Sequence, residues 1–134
     1  VENKVGVDNE ITSFVLPIGA TGNMDGTSLY QAVAAVFIAQ AFGMDLSLMA
    51  QLGIIVTATL ASIGSAAVPS AGMVMLVIVL AQAGIPEAGL ALIFAVDRPL
   101  DMVRTVANVT SDCTVATIIA KSLNKLEDPK EAIG

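Results

Sequence analysis

Two apolar runs, QLGIIVTATLASI at 51–63 and MVMLVIVLAQA at 73–83, flank the small-residue tip GSAAVPSAG at 64–72. As helix, each arm spans roughly 20 Å, against about 30 Å of bilayer hydrocarbon. A single helix across 51–83 would have to carry Pro69 and several small residues at its centre. Two short helices meeting at a tip, a re-entrant hairpin, fit both constraints. Non-helical backbone at membrane depth is tolerated only where protein or a watery cavity covers it.

The membrane setting comes from composition. Of 134 residues, 55% are hydrophobic and 13% are charged, with mean hydropathy +0.81; soluble domains carry roughly 25% charged residues. The expected fold is an all-α membrane protein. Residues 11–42 read as a broken transmembrane helix, apolar except at 19–28, and 43–50 as a connection. Residues 51–83 read as the hairpin, 88–122 as a long amphipathic transmembrane helix and 123–134 as a charged tail. Lys121, Lys125 and Lys130 lie near the C-terminus, while the loops at 43–50 and 84–88 hold no Lys or Arg. The positive-inside rule then places the C-terminus in the cytoplasm and both loops outside. With two spans and one hairpin, the N-terminal end is cytoplasmic too. The chain opens at Val1 without a signal-peptide pattern, so a fragment or a truncated product is expected.

Several function classes fall away. A net charge of −6 and no basic patch argue against nucleic acid. One Cys and no His exclude a disulfide framework, a zinc site and His-based catalysis. Cys113 reads as a small apolar packing residue.

The last helix carries Asp97, Asp101, Arg104, Thr105, Asn108 and Asp112 at spacings that, at about 100° per residue, gather all six within an arc of about 100°. A charge at the bilayer centre costs about 2.5–3.5 kcal/mol on insertion scales, so such a stripe needs a polar cavity, mutual pairing or a ligand. The bland reading is a structural ion-pair network, Asp101 with Arg104 and Asp97 with Arg98. The functional reading is an ion or substrate path. The stretch GATGNMDGTS at 19–28 points the same way. Gly19, Gly22 and Gly26 lower helix propensity, and Asn23 and Asp25 compete for backbone hydrogen bonds, so the helix is expected to unwind there. Freed carbonyls plus the Asn23 and Asp25 side chains make a hard-cation site of the kind broken helices supply in transporters. A packing kink with a hydrogen-bonded Asn is the plain alternative, and it leaves Asp25 unexplained.

Three motifs, NMDGT at 23–27 within SFVLPIGATGNMDGTSLYQ, SIGSAAVPSAG at 62–72 and DRPLDMVRTVANVTSD at 97–112, occur in an order that resembles the glutamate/aspartate transporter family, the dicarboxylate/amino acid:cation symporters. The resemblance covers nearly the whole chain. It implies the C-terminal half of the transport domain: helix seven at 11–42, re-entrant hairpin two at 51–83, helix eight at 88–122 and a cytoplasmic tail. It also implies a multi-pass protein of the cell (plasma or inner) membrane that is homotrimeric when complete. The trimerisation scaffold and first hairpin would lie outside this chain.

The function implied is sodium-coupled symport of aspartate or glutamate. By the resemblance, Asp101 would hold the substrate ammonium and Arg104 its side-chain carboxylate, with Thr27, Thr105 and Asn108 completing the polar contacts and the tip near Val68 and Gly72 closing over it. One sodium ion would sit among the carbonyls of Gly19, Asn23 and Asn108 and the Asp112 carboxylate. A second would use carbonyls of Thr21, Ser62, Ile63 and Ser65, and a third Asn23 and Asp25. Dicarboxylate members lack an Asp where Asp101 stands, and neutral amino acid members lack the Arg. The alternatives within the family are a proton-coupled glutamate symporter or a C4-dicarboxylate symporter. Gly22, Ala67, Ser111 and Pro99 depart from the family pattern, in ways that bear on ion stoichiometry and gate dynamics more than on substrate. Pro99 should kink its helix near residue 95. Asp97 and Arg98 have no assigned role, and Met24 reads as a soft plug beside the ions. An enzyme is not expected: an intramembrane aspartyl protease would need a Gly-x-Gly-Asp run, which is missing, and Arg104 would hold a neighbouring Asp ionised. A channel or a purely structural segment would show no substrate-dependent sodium flux.

Overall fold

The computed structural model describes residues 1–65, 68 and 70–130. Ala67 and Pro69, singled out in the tip, and the end of the tail at 131–134 lie outside the described residues. Among the described residues all regular structure is helical apart from one isolated bridge between Val7 and Leu126. The helices are α1 Glu2–Val5, α2 Asn9–Gly22, α3 Asp25–Ala41, α4 Leu48–Ile63, α5 Ala71–Ala83, α6 Leu90–Phe94 and α7 Asp97–Ser122, with a 3₁₀ turn at Glu87–Gly89.

Local chemistry accounts for most boundaries. Asp8 caps α2 by accepting from Glu10 N at 2.7 Å, and Ser47 caps α4 by accepting from Ala50 N at 3.2 Å. Gly43 and Gly84 end α3 and α5 with φ of 66° and 68°, as Met44 N donates to the Ala39 carbonyl and Ile85 N to that of Leu80. The break in residues 11–42 is narrower than expected. Only Asn23 and Met24 leave the helix, while Gly19 and Gly22 stay inside α2 and Gly26 sits in the first turn of α3. The stretch 88–122 is not one continuous helix but α6 and α7, parted at Ala95–Val96. Pro99 thereby falls in the first turn of α7, where its missing N–H would have had no intrahelical partner.

The core joins α3, α4 and α5. Ala34, Ala35, Ile38, Ala39, Ile54, Ala58, Leu76, Val79 and Leu80 are all buried, with alanines letting the helix backbones approach closely. α7 crosses the face formed by α2 and α3. The tail is not a free strand of charge. It returns along residues 3–8, where Glu127 N donates to the Gly6 carbonyl at 2.7 Å and Lys130 N to that of Asn3 at 2.8 Å. Gly6 is required there: its φ is 83°, and a Cβ would collide with the Glu127 carbonyl.

Polarity is distributed in reverse. Phe14, Leu48, Met49 and Phe94 are each 70% or more exposed, whereas Asp97, Arg104 and Asp112 are 7% exposed or less. Large exposed apolar faces mark surfaces that lipid or protein covers. Among the described residues, no helix is both long and apolar enough to cross a membrane. α2 and α3 have 14 and 17 residues. α7 has 26 residues, about 39 Å at 1.5 Å per residue, but carries Asp97, Arg98, Asp101, Arg104, Asp112 and Lys121.

Candidate functional site

The buried stripe of α7 faces the break between α2 and α3 on one side and the start of α5 on the other. Between them lies a cavity of about 500 Å³. Thr27, Val68, Gly72, Asp101, Arg104, Thr105 and Asn108 all line it, together with Ser65 and Asp112.

Arg104 is its central group. Its Nη2 and Nε donate to Asp101 Oδ1 at 2.7 and 3.0 Å, and its Nη1 to Asp97 Oδ1 at 3.4 Å. The guanidinium also stacks over the Tyr30 ring, 4.2 Å from its centroid. Asp97 collects three partners, since Tyr30 Oη and Ser70 Oγ each donate to it at 3.0 Å as well. Arg98, expected beside Asp97, pairs with Asp101 at 3.3 Å. Positions 97, 101 and 104 recur every three or four residues and share a helix face, while 98 points about 100° away. A buried charge stripped of its partner typically costs 3–5 kcal/mol, so these groups hold one another in place.

The second half of the site ties α7 to the break. Met24 precedes α3 without a capping side chain. Asn108 supplies the cap from α7: its Oδ1 accepts from Gly26 N at 2.8 Å and its Nδ2 donates to Thr27 Oγ1 at 3.1 Å. Asn23 Nδ2 donates to Asp112 Oδ1 and to Ser111 Oγ, both at 2.9 Å, and Ser111 Oγ donates to Asp25 Oδ2 at 2.6 Å. Gly19 and Gly26 allow this approach. A Cβ on Gly26 would stand 2.6 Å from the Arg104 carbonyl oxygen, and one on Gly19 would strike the Asp112 carboxylate. These two glycines serve helix contact; Gly22 faces open space.

Asn, Asp and backbone carbonyl oxygens are the donor type that a hard cation takes. Asn23, Asp25, Asn108 and Asp112 converge with the Gly19 backbone around the break, and among the described residues no cluster of three or more His, Cys, Asp or Glu forms. Ser65 Oγ is buried at the cavity with no hydrogen-bond partner among the described residues, an oxygen that a ligand would satisfy. Of the other residues assigned to sodium by resemblance, the Ser62 carbonyl accepts from Ser65 N at 3.2 Å, while Ile63 and Thr21 are exposed. Among the described residues no hydrogen bond joins Thr21 to Ser62, Ile63 or Ser65.

Tyr30, Gln31 and Ser70 belong to the site and went unnoticed in the sequence. Tyr30 is the chain's one tyrosine, and Gln31 is one of two amides, with Gln40, in the apolar run 30–42. Gln31 is fully buried and donates to the Gly72 carbonyl at 3.2 Å.

The sodium:dicarboxylate symporter family model matches residues 1–122. The chain is 57% identical over 126 residues to excitatory amino acid transporter 3 of Oryctolagus cuniculus, covering 94% of this chain and 24% of that protein. It is 53% identical over 119 residues to an excitatory amino acid transporter of Onchocerca volvulus, covering 89% and 24%. It is 52% identical over 119 residues to excitatory amino acid transporter 1 of Rattus norvegicus, covering 89% and 22%. The chain thus spans about a quarter of the length of these relatives.

Proposed function

Because the chain belongs to the sodium:dicarboxylate symporter family, we propose that it forms part of the transport domain of a membrane symporter that couples sodium to uptake of aspartate or glutamate. The observation that carries this reading is the pairing of Arg104 with Asp101 at the wall of one cavity that Thr27, Thr105 and Asn108 also line. An acidic amino acid needs a fixed cation for its side-chain carboxylate and a fixed anion for its ammonium. Its carboxylate exchanges with Asp101 for the guanidinium fork, and its ammonium takes the released Asp101. Thr27, Thr105 and Asn108 supply neutral donors and acceptors. The names of the relatives support the same substrate class.

Sodium is the co-substrate in this reading. Its ligands come from Gly19, Asn23, Asp25, Asn108 and Asp112 at the break, and from Thr21, Ser62, Ile63 and Ser65 near the hairpin tip. Binding there stiffens the break, which fixes Asn108 and Thr27 beside the substrate. The hairpin tip around Val68 and Gly72 then closes, and the domain carries its load across the bilayer. Moving one net charge through 100 mV is worth about 2.3 kcal/mol, enough for coupled cations to drive uphill uptake. The working protein is a homotrimer whose scaffold and first hairpin lie in the remaining sequence, with the C-terminus cytoplasmic.

The test is uptake of labelled aspartate by proteoliposomes holding the protein that carries this chain. Uptake driven by an inward sodium gradient and absent under a proton gradient alone is expected. Uptake driven only by the proton gradient, or uptake of succinate without aspartate, overturns the proposal.

A further inference from the structure

We propose that Ser111 is a positioning residue of the cation site, pinning both lips of the broken helix to α7. The proposal rests on the cation reading above and extends it to a side chain that reading does not use. A serine hydroxyl has one hydrogen to give and two lone pairs to receive with. Ser111 donates to Asp25 Oδ2 at 2.6 Å and accepts from Asn23 Nδ2 at 2.9 Å. The two partners lie 86 and 88 residues away in the chain, Asn23 in the break and Asp25 at the first position of α3.

The consequence is orientation. Asn23 gives both amide hydrogens to α7, one to Ser111 and one to Asp112 Oδ1, so its Oδ1 is the atom left to face a ligand. Asp25 is exposed, and its carboxylate has Ser111 as its partner; one oxygen is held and the other is left to coordinate. Without the hydroxyl, the Asn23 amide loses one of the two bonds that select oxygen over nitrogen, and the Asp25 side chain regains its rotamers.

Removing partners that orient metal ligands typically weakens metal affinity 10- to 100-fold. The experiment compares the purified protein carrying this chain with its Ser111→Ala and Ser111→Thr variants. The sodium concentration for half-maximal thermal stabilisation is measured without substrate, and aspartate affinity is measured at saturating sodium. Ser111→Ala is expected to raise the sodium midpoint about tenfold, with aspartate affinity at saturating sodium unchanged and the wild-type midpoint kept by Ser111→Thr. An unmoved midpoint in Ser111→Ala, or an aspartate affinity that drops as far as the sodium affinity, overturns the proposal, since simple helix packing would give those results. Should Ser111→Ala fail to fold, Ser111→Cys keeps the volume with a weaker donor and is expected to shift the midpoint the same way. A wild-type protein with no sodium response overturns the cation reading itself, a failure visible before any variant is made.

Discussion

Arg104 and Asp101 are closed on each other, Nη2 to Oδ1 at 2.7 Å, one helical turn apart and nearly out of solvent. In the proposed binding mode, each is the group the other's ligand replaces. Arg104→Cys should therefore lower aspartate affinity about 30-fold or more, in line with the roughly 2–5 kcal/mol lost when one partner of a buried charge pair is removed. Competition binding with aspartate and with a neutral amino acid checks this: the neutral compound should lose far less.

Gly72 touches the same guanidinium from the hairpin side. A Cβ there would stand 3.0 Å from Arg104 Cζ and 3.3 Å from Nε. The guanidinium is the far end of a flexible side chain, so it would yield by a few tenths of an ångström. Gly72→Ala should weaken aspartate binding on the order of tenfold, as small misplacements in binding sites do, with little change in thermal stability.

Gly26 and Gly22 form a matched pair of opposite sign. At Gly26 the added Cβ would meet backbone of α7, which cannot step aside, so Gly26→Ala should destabilise by about 1–3 kcal/mol. At Gly22 the space is open and φ is not positive, so Gly22→Ala should be neutral or stabilise by about 0.4–1 kcal/mol. Unfolding in detergent, monitored by circular dichroism, separates the two.

The N-terminal segment should respond to acid. Glu2 accepts hydrogen bonds from Thr12 Oγ1 and from Asn9 Nδ2, which together hold its carboxyl below the usual value of 4.5. A lowered folded-state pKa contributes stability that is present above pH 4.5 and lost as pH falls through the folded value. Hydrogen-exchange protection factors of residues 1–12, corrected for the intrinsic rate at each pH, should fall as pH drops below that value in the wild type, and Glu2→Gln should remove the pH dependence.

The stripe from Asp97 to Asp112 was legible because helical period alone gathers those residues on one face. The all-helical class was legible from apolar runs punctuated by Gly and Pro. Partner choice was not. Helical period places Arg104 beside Asp97, but Tyr30 and Ser70 reach Asp97 because separate elements meet there, and no local spacing encodes that meeting. The glycines near the break misled for a related reason. Read as conformational freedom they implied a long unwound segment, whereas Gly19 and Gly26 clear space for α7. The docking of the tail on Gly6 depends on residues about 120 positions apart, beyond the reach of any short pattern.

Calorimetry of aspartate binding to the protein that carries this chain, with and without sodium, tests the central assignment most directly. A steep rise in affinity with sodium is expected, since the proposed mechanism has the ions order the break that presents Asn108 and Thr27 to the substrate. Binding that ignores sodium and follows pH, or binding of succinate with none of aspartate, would contradict it.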